Sequence, residues 1–368
     1  MVAPSPELNT QARPPRVSRP TGPAGRSVFV LGSSHRTASL EMREQLALSS
    51  GEIGDLYHRL KATPGLEEYL VLNTCNRVEI YGVAESSEAR RQVRATLCRQ
   101  HHLDTDTFIR HTFQCGNHEA IEHLFAVAAG IDSQMVGETE IFGQVKAAYS
   151  EAQAAGGTGP VLNRIFQKSF AVAKWARTHT DIGRGNTSVG AVAVELAQRI
   201  FGDLQGSDVL LLGSGDVGEK TAQALQSRGA PSITVASRRR QRAQDLAHRF
   251  GGAAIDFTDV GDQLHRFDII LTSTRSATPV LGEPQVRRAL QRRPARPLFL
   301  IDLALPRDID PAAADIGNVF LYNLDDLAAI ANENLETRRA AVREVEAHFR
   351  QRAWDLWLAM IRRPGGLG

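Results

Sequence analysis

The residues that put the most chemistry into the fewest positions are Cys75, Arg77 and Glu79, in the stretch V-L-N-T-C-N-R-V-E-I-Y at 71–81. At the period of two expected of a strand, Val78 and Ile80 point to one side, and Cys75, Arg77, Glu79 and Tyr81 to the other. One face packs into a core while the other presents a thiol, a cation and a carboxylate. Asn73, Thr74 and Asn76 supply turn chemistry that a strand interior avoids, so two extended segments should meet at 73–76 with Cys75 in the turn. Polar surroundings with Arg77 on the same face predict a lowered thiol pKa and a nucleophilic thiolate. Turn N–H groups would stabilise an oxyanion. The bland alternative is a buried structural cysteine. A rival site pairs Cys98 and His101 with Cys115 and His118, a spacing zinc accepts, although Cys98 shares a helix face with the apolar Val93 and Leu97.

A second polar stretch, G-I-D-S-Q-M-V-G-E-T-E-I-F-G-Q-V-K-A-A-Y, lies at 130–149. Gly130, Gly137 and Gly143 would let backbone approach a ligand, and Asp132, Ser133, Glu138 and Gln144 are its polar members. His123 falls among Ile121, Leu124 and Phe125 of a helix, where a histidine at the edge of the core is the plain reading. His35 follows a strand end, a place that suits a site residue and a helix-capping residue equally.

A hydride source is written further along. A buried strand at 207–212 runs directly into Gly213-Ser214-Gly215-Asp216-Val217-Gly218 and then a helix, which is G-x-G-x-x-G in the setting that gives it meaning. The glycines permit a tight turn and bring a pyrophosphate to the helix N-terminus. The second strand, 232–236, ends in Ser237-Arg238-Arg239 where an acidic residue would hold an unphosphorylated ribose, so the pattern favours NADPH. A solvated basic turn is the alternative.

These residues need a large scaffold. The 368 residues exceed one ordinary core, and 42% hydrophobic with 23% charged residues and a net charge of +2 fit a globular chain with no strong demand for a polyanion. Three cysteines without a framework spacing, no apolar run long enough to span a bilayer and no secretion-like start point to a reducing, cytoplasmic setting. The expected class is multidomain, mixing α+β and α/β. Residues 1–26, rich in proline and arginine, read as a disordered basic tail. Residues 27–180 form a catalytic α+β domain with a helical bundle, and 181–320 a Rossmann-like NADPH domain. The piece 321–368 holds a long helix, glycine- and proline-free from Leu324 to Met360, whose apolar stripe of Leu335, Val342, Val345, Phe349, Ala353, Leu356 and Met360 suggests a dimer seam, with packing on its own domains as the alternative.

Taken together and in order, N-T-C-N-R-V-E-I-Y, the 130–149 stretch, T-D-I-G-x-G-x-x-S-V at 180–189, G-S-G-D-V-G and D-L-A-L-P-R-D-I-D-P at 302–311 resemble the glutamyl-tRNA reductase family. The resemblance implies NADPH-dependent reduction of glutamyl-tRNA to glutamate-1-semialdehyde through a thioester on Cys75, the opening step of the five-carbon route to tetrapyrroles. It implies a homodimer and handover of the aldehyde to an aminomutase. By this resemblance Cys75 is the nucleophile and His123 the histidine near it. Arg77 and Glu79, with Thr74, Ser133, Glu138 and Gln144, serve the glutamyl group, and Gly213, Gly215 and Gly218 form the cofactor loop. The chain departs from the family at Ser34, at His35-Arg-Thr-Ala-Ser39, at Gly137-Glu-Thr-Glu140 and at Ser237-Arg-Arg239, and the family's C-terminal domain is longer. Basic pairs at Arg287-Arg288, Arg292-Arg293 and Arg338-Arg339 are tRNA candidates. Two other readings remain: a shikimate-type dehydrogenase that needs no Cys75, and a non-catalytic homologue that binds tRNA or enzyme.

Overall fold

The computed structural model describes residues 26–180, 188–293, 296–332 and 339–362. The tail, the 181–187 part of the glycine-rich motif, Leu335 and Arg338 lie outside the described residues.

An antiparallel sheet comes first in the chain. Its strands are β1 (Ser27–Ser34), β2 (Leu66–Asn73), β3 (Arg77–Ala84) and β4 (Phe113–Gly116), in the order β2-β3-β1-β4. Helices α1 (Leu40–Leu46) and α2 (Ser50–Lys61) lie between β1 and β2, and α3 (Ser87–Gln100) and α4 (Thr105–Arg110) precede β4. Helices α5 (Asn117–Ala129), α6 (Glu140–Ala154) and α7 (Pro160–His179) follow and cover the sheet. The register of β1 against β3 sets Gly32 opposite Glu79 and Ser34 opposite Arg77. A Cβ at Gly32 would lie 2.8 Å from the Glu79 Cγ and 2.3 Å from the Val78 oxygen, so the glycine makes room for a carboxylate inside the sheet face.

The second unit begins with α8 (Val189–Phe201) and continues through β5 (Val209–Gly213), α9 (Asp216–Ser227), β6 (Ile233–Ala236), α10 (Arg240–Arg249), β7 (Ala254–Ile255), α11 (Val260–Gln263), β8 (Ile269–Ser273), α12 (Glu283–Gln291), β9 (Leu298–Asp302) and β10 (Val319–Asn323). All of its strand pairs are parallel, in the order β10-β9-β8-β5-β6-β7. Counted from β5, this is the doubly wound dinucleotide order, with its switch point between β5 and β8. Near-continuous runs such as Leu210-Leu211-Leu212 follow from burial on both faces of a parallel sheet.

The C-terminal region contains α13 (Leu324–Asn332) and α14 (Arg339–Ile361). Leu324, Leu327, Ala328 and Ala331 of α13 join the core of the parallel-sheet unit. Val345, Phe349, Ala353, Leu356 and Met360 of α14 join the core of the antiparallel-sheet unit, with Phe349 edge-on to Phe125 of α5. The stripe expected at a dimer seam is therefore buried within the chain, because α5 offers it an apolar face. Among the described residues no helix is long and apolar enough to cross a membrane.

Helix α7 begins after Gly159, which has no side chain to cap it, and Glu68 of β2 supplies the acceptor. Its carboxylate takes the N–H groups of Gly159 and Val161 at 3.0 Å and of Leu162 at 2.7 Å. A buried carboxylate is stable there because unpaired amides and the helix dipole converge on it. Glu68→Ala is expected to cost about 3 kcal/mol by stranding those amides, read as a lowered urea midpoint; an unchanged midpoint would refute this account of the helix start.

Candidate active site

The turn joining β2 to β3 forms as its residue types require. Thr74 N–H donates to the Arg77 carbonyl at 2.8 Å, and the Thr74 hydroxyl accepts from the N–H groups of Asn76 and Arg77 at 3.2 Å each. The Asn76 and Arg77 amides are engaged by Thr74 and are not open to an oxyanion. Cys75 is half-buried at the tip of the turn and packs against the core of the parallel-sheet unit.

Arg77 follows and is 2% exposed. It points into the protein, where Nη1 meets Glu79 Oε1 at 2.5 Å and Nη2 meets the Asp132 carboxylate at 3.1 Å as well as the Asp132 carbonyl. Glu79, fully buried, also accepts from the Tyr81 hydroxyl at 2.6 Å and contacts His123 Nε2 at 3.0 Å. Burial alone would raise the Glu79 carboxyl, but Arg77 and then His123 hold it down at about 2. Burial also opposes the Arg77 charge, yet Glu79 and Asp132 push its pKa further up. His35, whose N–H donates to the Asn76 carbonyl, is lowered to about 4 by burial and then by Arg77, so its ring is neutral at pH 7.

The thiol's environment differs from the sequence expectation. Burial pushes Cys75 up to about 12, with Glu138 and Asp325 acting in the same direction and Arg43 against them. The positive charge of Arg77 is matched by its two carboxylates and does not make the turn electropositive. Glu138 is raised to about 6 by burial, with Glu140 adding to the effect and Ser133, Arg77 and Lys220 opposing it. The site therefore holds a neutral thiol beside a carboxyl that titrates near neutrality.

Thr74, Cys75, Arg77, Ser133, Glu138 and Gln144 line one side of a cavity, and Val189, Val217, Lys220 and Leu324 close it from the parallel-sheet unit. Glu79 and His123 do not line it. They stand behind Arg77, and His123 rests on Glu79 between Tyr81 and Phe113 rather than on the thiol. The cavity measures about 60 Å³, well short of a pocket for a substrate-sized group, so the two units stand close together across the half-buried thiol. Sequence reasoning passed over Arg43, Asp325 and Met135. Met135 leaves the 130–149 stretch to enter the other unit's core.

The cofactor residues fit a dinucleotide. Gly213 at the end of β5 has φ +107°, and a Cβ there would lie 2.3 Å from the Ser273 carbonyl at the end of β8. A Cβ on Gly218 would lie 2.6 Å from the Ser273 Cβ, so α9 can approach the sheet closely only with glycine. Helix α9 starts with no side chain capping its first N–H groups, which leaves them for an anion. Ser214, Asp216 and Val217 complete that turn. Beyond β6, Ser237, Arg238 and Arg240 border a hollow with Asp256 and Phe257, and the Arg238 guanidinium lies 5.7 Å from the Phe257 ring. Arg239 is exposed outside it, with its N–H on the Ser237 hydroxyl. At the ends of β8 and β9, Thr272 donates to Asp302, which burial raises to about 7. Of the rival zinc residues, Cys98 is buried on α3 and His118 stacks edge-on against Trp354. No group of three or more potential metal ligands occurs among the described residues.

A parallel dinucleotide-type sheet closed over a cysteine-bearing α+β unit defines a nicotinamide-dependent oxidoreductase with a thiol in the cleft. Residues 31–180 match the family described as Glutamyl-tRNAGlu reductase, N-terminal domain, and residues 195–330 match Shikimate / quinate 5-dehydrogenase. The chain is 41% identical over 322 residues to glutamyl-tRNA reductase of Trichlorobacter lovleyi, covering 87% of this chain and 74% of that one. It is also 41% identical over 315 residues to the Magnetococcus marinus protein of the same name, covering 85% and 75%. The solved glutamyl-tRNA reductase from Methanopyrus kandleri is similar at 34% identity and a TM-score of 0.50, over 90% of this chain and 80% of that one. The chain belongs to the glutamyl-tRNA reductase family.

Glu138 acts on the thiol through its charge, so Glu138→Gln is expected to lower the pH midpoint for alkylation of Cys75 by iodoacetamide. The rate at pH 8 should rise about threefold or more, as expected when a nearby like charge is removed. An unchanged or slower rate would contradict the assigned coupling.

Proposed function

We propose that this chain reduces the glutamyl group of glutamyl-tRNA to glutamate-1-semialdehyde, with Cys75 as acyl acceptor and NADPH as reductant. The observation that carries the reading is the placement of the Cys75 thiol in a cleft whose far wall is the dinucleotide-type unit. A carboxylic ester is a poor hydride acceptor, and a thioester a better one, which is why a thiol belongs in such a cleft.

The thiol is protonated at rest, so attack on the acyl carbon requires a base. Glu138 lines the same cavity, titrates near 6 and acts on the thiol, which suits it to accept that proton and return it to the departing ribose oxygen. Arg77 lines the cavity at the start of β3, with its guanidinium turned inward onto carboxylates. Glu79 and Asp132 hold it from behind, and His123 steadies Glu79. Thr74, Ser133 and Gln144 line the cavity beside the thiol, which the glutamyl moiety would enter once the cleft opens. His123 thus serves as a positioning group in this scheme, one carboxylate removed from the chemistry.

Gly213, Ser214, Gly215, Asp216, Val217 and Gly218 would hold the pyrophosphate. Ser237, Arg238 and Arg240 would hold a ribose 2′-phosphate, which favours NADPH over NADH. The bound cofactor would supply the hydride. Handover to an aminomutase and a homodimer rest on family likeness, and a cytoplasmic setting on the chain's cysteine usage. A homodimer would use surfaces other than the buried stripe of α14. The shikimate-type reading is favoured only by the match at 195–330, which leaves the cysteine unit unexplained.

With glutamyl-tRNA and NADPH supplied, the parent chain should form semialdehyde, and NADH should substitute poorly. Cys75→Ser should abolish product while leaving cofactor binding intact. Normal semialdehyde production by Cys75→Ser would sink the reading.

A further inference from the structure

Helix α1 carries two adjacent side chains, Arg43 and Glu44, and each grips the parallel-sheet unit. Arg43 is 4% exposed. Its Nη2 donates to both Asp325 oxygens at 2.6 Å, while Nη1 donates to Asn76 Oδ1 at 2.8 Å and to the Cys75 carbonyl at 3.4 Å. One guanidinium therefore joins the turn that carries the thiol to the first turn of α13. Glu44 accepts from the backbone N–H and Nε of Arg307 through Oε1, at 2.7 and 2.9 Å, and from Nη2 through Oε2 at 2.9 Å. Arg307 is presented by the 303–309 loop. Asp302 secures that loop by accepting from Ala304 and Ile309, and Asp308 secures it by accepting from Thr274.

We propose that Arg43 and Glu44 are positioning residues that latch the dehydrogenase-type unit over Cys75, so that an acyl group on that thiol is reduced rather than hydrolysed. The proposal rests on the reading of Cys75 as the acylated residue. Acylation forms the S–C bond and releases the ribose hydroxyl. Reduction adds hydride from the reduced nicotinamide cofactor to the acyl carbon, and the C–S bond then breaks to give aldehyde and thiolate. Hydrolysis instead adds water to the same carbon and releases glutamate and thiol. A cleft held narrow by the latch limits the water that reaches that carbon, and a wide one admits it. The cleft must also open to receive the end of a tRNA. The latch suits a repeated cycle because it is built from two forked ion pairs, and Asp325 and Glu44 retain 36% and 18% side-chain exposure.

Arg307→Gln and Asp325→Asn in the full chain test the latch with two readouts. The first is iodoacetamide alkylation of Cys75 without substrate or cofactor. Because Asp325 also raises the thiol's pKa, Arg307→Gln carries this readout, and its rate should rise about tenfold, the scale of one charge-assisted pair. The second is the ratio of free glutamate to semialdehyde formed from glutamyl-tRNA and NADPH. It should shift about tenfold towards glutamate in both variants, with acylation in the absence of NADPH retained and Arg307→Lys partly restoring the parent ratio. Unchanged alkylation in Arg307→Gln together with an unchanged product ratio would overturn the latch. So would an equal fall in acylation and reduction accompanied by a lowered melting temperature, which marks a merely structural role. A parent chain that is never acylated would sink the functional reading instead, and the alkylation readout would still decide the latch.

Discussion

The pairing of a buried cation with two carboxylates is the constraint on which the site depends. Arg77 sits where β3 begins, almost wholly out of water, and a guanidinium is tolerated there only if its charge and donors are answered. Glu79 answers from the same strand and Asp132 from the loop after α5. The pair fixes the first residue of β3, and with it the turn that holds Cys75. It also ties the 130–149 stretch, with Ser133 and Glu138, to the sheet. Gly32 exists in this arrangement to leave space for Glu79, and Tyr81 and His123 fill the remaining positions on its carboxylate. Removing one partner would strand the others in a medium that cannot solvate them.

The thiol is governed by a second constraint, closure. With the parallel-sheet unit against the turn, burial and the neighbouring Glu138 keep Cys75 protonated, and a carboxylate able to take the proton stands beside it. A thiol in this state is protected from adventitious chemistry and becomes a nucleophile when its proton is taken. The sign is consistent at both groups: a raised Glu138 pKa makes it a better base near neutral pH, and its negative charge above about 6 discourages a free thiolate in the closed cleft.

Much of this was legible in local patterns. The strand–turn–strand around Cys75 followed from Asn73, Thr74 and Asn76, and the cofactor unit from six residues between a buried strand and a helix. The shared face of Arg77, Glu79 and Tyr81 also followed from period two. That helices cover this face could not be read, because the covering elements and Asp132 come from distant sequence. The same limit hid the thiol's environment. Arg77 signalled an electropositive turn, while the carboxylate that completes its neutralisation lies 55 residues on. Arg43 was invisible for a stronger reason: it is one arginine on a seven-residue helix, and its partner lies 282 positions away. The apolar stripe of α14 was plain, but periodicity states only that a helix needs a partner surface. Here α5 of the same chain provides it.

Every step proposed for the cleft depends on Cys75 carrying the glutamyl group. The direct measurement is peptide mass mapping after cofactor-free protein is mixed with glutamyl-tRNA and quenched in acid. The expected result is a glutamyl adduct on the peptide containing Cys75, labile to hydroxylamine and discharged as semialdehyde when NADPH is added before the quench. An adduct on another side chain, or semialdehyde formation with no adduct ever detectable on Cys75, would contradict it.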